Sequence, residues 1–204
     1  MSKRGKRMNQ RQAKYDIEPN LLKRYSTRSF LEKEVEDKKL KAMIEAASWA
    51  TSAANWQPWH FIVMKSASER ERLVDTLFEG NSIWCQYVPT FIVITSRKTH
   101  EETNRPIASH AFDAGAAWGI MSMEGYRQGL MTHPMSGFDQ DDLREVLSLP
   151  SDYDIQAVVA VGYYDENYIN LTDELKEREV PSLRKSVDQI MSFGRFHKKE
   201  KTLS

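Results

Sequence analysis

The segment ASHAFDAGAAWGIMSMEGYRQG, residues 108–129, is the most unusual stretch of the sequence because small side chains dominate it. As a single helix it would run about 30 Å and would let another backbone approach closely. The Gly115-xxx-Gly119 spacing is also found in membrane helix dimers, but Asp113 and the short apolar run argue against a helix in lipid. We therefore predict a central buried helix or a dimer-forming helix.

Helical and strand patterns alternate on both sides of this segment. Apolar residues recur at helical spacing over 35–47 and again over 68–78, where Ser68 is a candidate N-cap and Gly80 is expected to end the helix. Residues 133–138 contain proline and glycine and predict a loop. The alternation indicates an α/β or α+β protein. The predicted strands and the remaining short helix span residues 59–64, 90–95, 155–162 and 141–147.

Composition excludes several classes of protein. The 204 residues contain 29 Lys+Arg and 29 Asp+Glu, and 40% are hydrophobic, which is too many for a disordered chain with this charge content. One cysteine, Cys85, excludes an intrachain disulfide and a multi-cysteine metal site. No apolar run approaches the roughly 18–20 residues that span a bilayer. We expect a cytoplasmic protein that does not enter the membrane.

The charge is unevenly distributed along the chain. Residues 1–14 contain six Lys or Arg and no acid, so the rest of the chain has six more acidic than basic residues. We predict that residues 1–20 are a basic polar tail, solvated or disordered, and that residues 21–204 form one domain. The less favoured alternative is a binding protein that docks on nucleic acid through this tail.

No familiar protein-borne catalytic motif is present. The sequence lacks GxGxxG, GxxxxGK[ST], HExxH and GxSxG, and its five histidines show no metal-ligand spacing. Cys85 has no nearby base and is interpreted as a small buried apolar residue. If the protein is an enzyme, a cofactor must carry the reaction.

Two clusters remain as candidate binding sites. In RYSTR, residues 24–28, an extended backbone would point Arg24, Ser26 and Arg28 to one side, where two guanidiniums and a hydroxyl suit a phosphate. A plain surface pair of arginines is the alternative. In SAANWQPW, residues 52–59, amide side chains lie beside two tryptophans. That combination suits a flat heteroaromatic ring with polar edges, or simply a loop that anchors its tryptophans in the core.

In this order the two clusters resemble the FMN-dependent nitroreductase family. The first resembles its R-x-S-x-R-x-F pattern, completed by Phe30, and the second its [AP]-[ST]-S-x-x-N-x-Q-P-W-x-F pattern, ending at Phe61. The likeness extends over residues 20–193. Its further matches are Asn81 with Trp84, Pro89, Asp113-Ala114-Gly115, Gly129-Leu130, Phe138-Asp139, the strand VVAVGYY and Lys176-Glu177-Arg178.

The resemblance implies a role for each matching residue. The ribityl phosphate of FMN would be held from both ends of the chain, with Arg184 as an alternative to Arg178. The side chains that frame the isoalloxazine ring would come from the second subunit, and Asn81 would meet the pyrimidine edge. The implied set is Arg24, Ser26, Arg28, Lys176 and Arg178 for the phosphate, Ser52, Asn55 and Gln57 for the ring, then Asn81, with Met135, Ser136 and Gly137 laying backbone against the flavin.

The resemblance also implies the fold and the activity. The fold would be α+β, a three-layer α/β/α sheet flanked by helices in an intertwined homodimer. The activity would be ping-pong hydride transfer from NAD(P)H through flavin N5 to nitroaromatic, quinone or similar small electron-poor acceptors, with no catalytic acid or base assigned. Reductive dehalogenation and flavin fragmentation occur on the same fold and remain alternatives.

Overall fold

The computed structural model describes residues 11–197. Within them, four antiparallel strands form one sheet in the order β1-β2-β4-β3. The strands are β1 Trp59–Met64, β2 Thr90–Arg97, β3 Met131–Met135 and β4 Tyr153–Gly162. The helices are α1 Asn20–Lys23, α2 Asp37–Ser48, α3 Ala67–Asp75, α4 Glu79–Cys85, α5 His110–Arg127, α6 Gln140–Val146, α7 Asp173–Arg178 and α8 Val187–Ile190.

Helices cover both faces of the sheet, so the fold has the predicted three layers. Strand β2 shows this by alternation, because Phe91 and Val93 pack into one apolar cluster and Ile92 and Ile94 into the other. Helices α2 and α5 contribute to the cluster that contains Ile92 and Ile94. Helices α3, α4, α6 and α7 contribute to the cluster that contains Phe91 and Val93. A strand covered on both faces must be apolar throughout, which explains the continuous TFIVIT run.

The small-residue segment forms helix α5, which has one buried face and one exposed face. One face is buried against α2 and the sheet, and a Cβ on Gly125 would lie 2.9 Å from the Met43 side chain. On the other face Phe112 is 80% exposed, and a Cβ on Gly115 or Gly119 would meet nothing within 4 Å. The predicted helix is confirmed, and its open face remains available for a partner. In the described part of the chain, no helix combines the length and apolarity that a membrane crossing needs.

Helix α3 begins and ends earlier than predicted. Its N-cap is Ser66 rather than Ser68, because Ser66 and Glu69 form a reciprocal capping box. The Ser66 side chain accepts from the Glu69 N–H, and the Glu69 carboxylate accepts from the Ser66 N–H. The helix ends at Asp75, and Gly80 lies inside α4, a helix that the sequence pattern did not predict. The S-x-x-E spacing at 66–69 was the signal for the correct start.

The prediction of a loop over residues 133–138 was wrong at its beginning. Residues Met131–Met135 form strand β3, which includes Pro134. In the four-strand order β3 stands at the end of the sheet and pairs with β4 alone. A proline can occupy such an edge strand because its missing N–H costs no ladder hydrogen bond on the open side.

Candidate functional site

The segment from Arg24 to Ser29 follows α1 and is not helical, and the chain bends at Arg28. Its backbone leaves α1 at Arg24 with φ −66° and ψ 131°. Thr27 and Ser29 are buried, whereas Ser26 and Arg28 are half-buried. Ser26 and Arg28 therefore lie on the less buried side of the segment, and their binding of a phosphate stays a prediction.

A buried carboxylate, Glu179, holds this segment in place. It accepts hydrogen bonds from the Thr27 hydroxyl at 2.6 Å and the Arg28 N–H at 2.8 Å, and it is 2% exposed. The Arg28 guanidinium lies 3.6 Å from the same carboxylate. Because Glu179 directly follows α7, these contacts bring the end of that helix, with Lys176 and Arg178, to the arginine segment.

Arg24, like Arg28, is a half-buried cation of the arginine segment. Its Nη1 is buried and has no hydrogen-bond partner among the described residues. Burial lowers the pKa of the Arg24 guanidinium, and the positive charges of Arg11 and Arg184 lower this pKa further. Arg178 is exposed at the end of α7, and the Lys176 ammonium lies 3.2 Å from Asp173.

Asn81 and Gly137 form the second part of the site. The Asn81 side-chain amide donates to the Gly137 carbonyl at 3.1 Å. A Cβ on Gly137 would stand 2.7 Å from the Asn81 amide nitrogen, so only glycine fits there without a shift. Ser136, the neighbour of Gly137, is exposed. The structure therefore brings together residues 56 positions apart that the resemblance assigned to one ring.

His133 connects the two parts. It lies in β3, a few residues before Gly137, and its Nδ1–H donates to the Thr27 carbonyl at 2.8 Å. Its ring lies 4.8 Å from that of Trp84, which belongs to the same helix as Asn81. Trp84 is 1% exposed and also stacks on Phe30. The arginine segment and the Asn81–Gly137 pair are therefore parts of one packed unit.

We predict that His133 makes the protein less stable in acid. Burial, with the positive charges of Arg28 and Arg24, lowers the pKa of His133 to about 4. An unfolded histidine titrates near 6.5, so the unfolded chain binds the extra proton between these values and stability falls as the pH decreases through this window. Between pH 7 and 4.5 the free energy of unfolding should fall by about 2–3 kcal/mol more in wild type than in His133→Gln.

Urea unfolding of both proteins at the two pH values measures this difference. The control is His60→Gln, because His60 is exposed on β1. It should keep the full wild-type pH dependence. An equally steep pH dependence in His133→Gln would show that other groups account for the acid sensitivity.

The loop that carries Ser52, Asn55 and Gln57 lies elsewhere in the chain. The Asp113 carboxylate accepts from the Ala53 N–H at 3.3 Å, and the Pro58 carbonyl accepts from the Arg97 N–H of β2 at 2.8 Å. The Ser109 hydroxyl also donates to this carboxylate, which ties the loop to the start of α5. Within residues 11–197, no hydrogen bond or ion pair joins this loop to Arg24 or Asn81. Its contribution from a second subunit stays a prediction.

The same loop has a strained backbone. Ala54, Asn55 and Gln57 have positive φ values of 49°, 57° and 48°. A left-handed conformation costs a non-glycine residue roughly 1–2 kcal/mol, so surrounding contacts must maintain it. With residues 48–52, the Asn55 and Gln57 side chains line a hollow of about 570 Å³. The loop thus presents polar side chains at a concave surface beside the exposed Trp49.

The described residues fit a ligand that has a phosphate and a flat polar ring. A buried guanidinium nitrogen of Arg24 lacks an acceptor, and forked charged donors suit phosphate oxygens. At the other end Gly137 keeps backbone accessible beside the Asn81 amide, where a Cβ would intrude. The arginine segment is positively charged and the Asn81–Gly137 pair is uncharged, which matches a ligand with an anionic phosphate and a neutral ring.

Comparison with known proteins identifies the family. The sequence profile of the Nitroreductase family matches residues 21–83 and 81–163, and the chain belongs to this family. The family and the oxidoreductase class predicted from the sequence are thereby confirmed.

Individual relatives agree with this assignment. An NADH dehydrogenase of Thermus thermophilus is 27% identical over 181 residues, which cover 72% of this chain and 86% of that protein. A Streptomyces coelicolor protein named as an NADH dehydrogenase/NAD(P)H nitroreductase is 30% identical over 154 residues, 66% of this chain and 76% of that one. The crystal structure of an FMN-containing oxidoreductase superposes with a TM-score of 0.88 at 35% identity, over 96% of this chain and 100% of that one.

The structure also identifies residues that sequence reasoning missed. Glu179 was not among the predicted site residues, although it fixes the arginine segment. Arg11 was placed in a solvated tail, but its guanidinium donates to the Arg24 carbonyl at 2.6 Å. Residues 1–10 of that tail lie outside the described residues. No local pattern marks either contact, because each joins positions more than ten residues apart.

Proposed function

We propose that this protein is an FMN-dependent oxidoreductase that uses NAD(P)H to reduce nitroaromatic, quinone or similar electron-poor small molecules. The observation that carries the proposal is the buried, unpartnered Nη1 of Arg24. It lies in a group of arginines, and packed side chains connect it to the Asn81–Gly137 pair. Membership of the Nitroreductase family supports the same conclusion.

In this proposal the chain's own residues bind and orient the cofactor. Arg24, Ser26 and Arg28, with Lys176 and either Arg178 or Arg184, hold the phosphate, while Asn81 and Gly137 meet the ring. Hydride transfer from NAD(P)H to the acceptor is the chemistry that FMN supplies when bound. Positioning and a positive local field are the protein's contributions, and no side chain is assigned as acid or base.

A homodimer belongs to the same proposal. The open small-residue face of α5 and the exposed aromatic residues Trp49 and Phe112 are suited to burial against a second copy. Ser52, Asn55 and Gln57 would then complete the partner's site. Sedimentation equilibrium should give twice the 23.7 kDa chain mass, and a monomer at micromolar concentration would contradict this part of the proposal. We place the protein in the cytoplasm, where NAD(P)H is available.

The absorbance spectrum of the purified protein tests the cofactor. We expect flavin bands as purified, or after apoprotein is mixed with FMN, and bleaching of these bands by NAD(P)H without oxygen. Acceptor should restore the spectrum, and steady turnover with a nitro or quinone compound should follow. A colourless protein that does not take up FMN would overturn the proposal. Loss of the flavin under oxygen would instead indicate flavin fragmentation.

A further inference from the structure

Arg11 lies before the residues that match the family profile, but its side chain reaches the arginine segment. The family profile begins at residue 21. The Arg11 Nη1 donates to the Arg24 carbonyl at 2.6 Å, and its Nε donates to the Ser182 carbonyl at 2.8 Å. One guanidinium therefore bridges the beginning of the arginine segment and the chain that follows α7.

Arg184 contacts the same backbone carbonyl as Arg11. Its Nη1 donates to the Ser182 carbonyl at 3.1 Å, so Arg11 and Arg184 share one acceptor. Each of these positive charges lowers the pKa of the Arg24 guanidinium, and Arg184 also lowers that of Arg11. The Arg11 guanidinium thus joins the Arg24 and Ser182 backbones, and Arg184 shares the second of these acceptors.

We propose that Arg11 is an additional phosphate-binding residue, which joins Arg24 and Arg184 in a three-arginine site for the dianionic end of FMN. This inference rests on the proposed function. Three neighbouring cations repel each other in the free protein, and a bound dianion converts that repulsion into attraction. Carbonyl acceptors are uncharged, so the bonds of Arg11 to the Arg24, Leu22 and Ser182 carbonyls leave its positive charge in place to attract a phosphate.

The competing explanation gives Arg11 only a structural role. Its Nη1 also lies 3.5 Å from the Leu22 carbonyl, so it could simply satisfy carbonyls at the end of α1. The two roles differ in one measurable respect. A phosphate-binding residue discriminates between FMN and riboflavin, which lacks the phosphate, whereas a structural clamp affects both ligands equally.

The experiment measures the dissociation constants of FMN and riboflavin by flavin fluorescence quenching of the apoprotein. The variants are Arg11→Ala and Arg11→Lys. The matched control is Lys14→Ala, which removes a cation from the same segment, where Lys14 is exposed and lies 4.0 Å from Asp188. For Arg11→Ala we expect FMN affinity to fall about tenfold or more, with riboflavin affinity within about twofold of wild type. Arg11→Lys keeps the charge, so its FMN affinity should lie between those of wild type and Arg11→Ala. Lys14→Ala should bind FMN and riboflavin as wild type does.

Four results would overturn the inference. Equal loss of FMN and riboflavin binding would assign Arg11 a structural role, and so would an Arg11→Lys variant as weak as the alanine variant. Unchanged FMN affinity in Arg11→Ala, with tight FMN binding by wild type, would remove Arg11 from the site but leave the proposed function intact. Failure of wild type to bind FMN would overturn both proposals.

Discussion

Replacing Glu179 with alanine is expected to lower the free energy of unfolding by about 3–5 kcal/mol, since it removes a buried charged acceptor. The Thr27 hydroxyl and the Arg28 N–H would lose their acceptor, and the Arg28 guanidinium would lose its nearest carboxylate. The arginine segment would then be held less firmly, so FMN affinity should fall as well. Urea unfolding of the apoprotein and FMN titration measure the two effects.

Two further variants sharpen this test. Glu179→Gln retains one oxygen acceptor but not the charge, so its stability should lie between those of wild type and the alanine variant. Glu174→Ala is the matched control, because Glu174 is exposed on α7, the helix that Glu179 directly follows, and it should change stability by about 0.5 kcal/mol or less. A Glu179→Ala protein as stable as this control would show that the buried contacts do not hold the segment.

Replacing Arg24 with alanine is expected to weaken FMN binding strongly and to change the stability of the apoprotein little. FMN affinity should fall by about a hundredfold, because hydrogen bonds to a charged group contribute about 1.5–3 kcal/mol each. The stability of the apoprotein should stay within about 1 kcal/mol of wild type, since the lost Nη1 is buried without a partner and contributes no bond. Thermal unfolding of apoprotein and FMN titration distinguish the two quantities.

Arg28→Ala and Lys23→Ala serve as comparisons for Arg24. The Arg28 guanidinium faces Glu179, so its removal should destabilise the apoprotein by about 2 kcal/mol in addition to weakening FMN binding. Lys23 is exposed in the last turn of α1 and should be neutral in both measurements. If Arg24→Ala binds FMN as wild type does, the phosphate assignment fails, whatever the stability of the variant.

Local signals predicted much of the fold. The continuous apolar run at 90–95 gave a strand covered on both faces, and the small residues of 108–129 gave the long helix. Errors arose where a local signal was outweighed by position in the sheet. Pro134 predicted a loop, because proline has no N–H to donate in a strand that is paired on both sides. Strand β3 tolerates it, since β3 is at the end of the four-strand order.

The candidate site was predicted less completely than the fold. The order of the motifs was sufficient to group Arg24, Ser26 and Arg28 and to name Asn81 and Gly137. It did not reveal Glu179, which lies 152 residues from Thr27, or the bond from His133 to Thr27 across 106 residues. These contacts depend on how α7 and β3 pack against the arginine segment, and spacing in the sequence carries no information on that packing.

The sequence by itself indicated an α/β or α+β protein, because hydrophobic periodicity at fixed local spacing distinguishes helices from strands. The order of its motifs resembled the family that the comparison confirms, and that resemblance implied the three layers. The tertiary structure decided which charges meet. It paired Arg28 with Glu179 and left Arg24 beside Arg11 and Arg184. Charges interact through distance and burial, and both quantities are set only when segments from the two ends of the chain pack together.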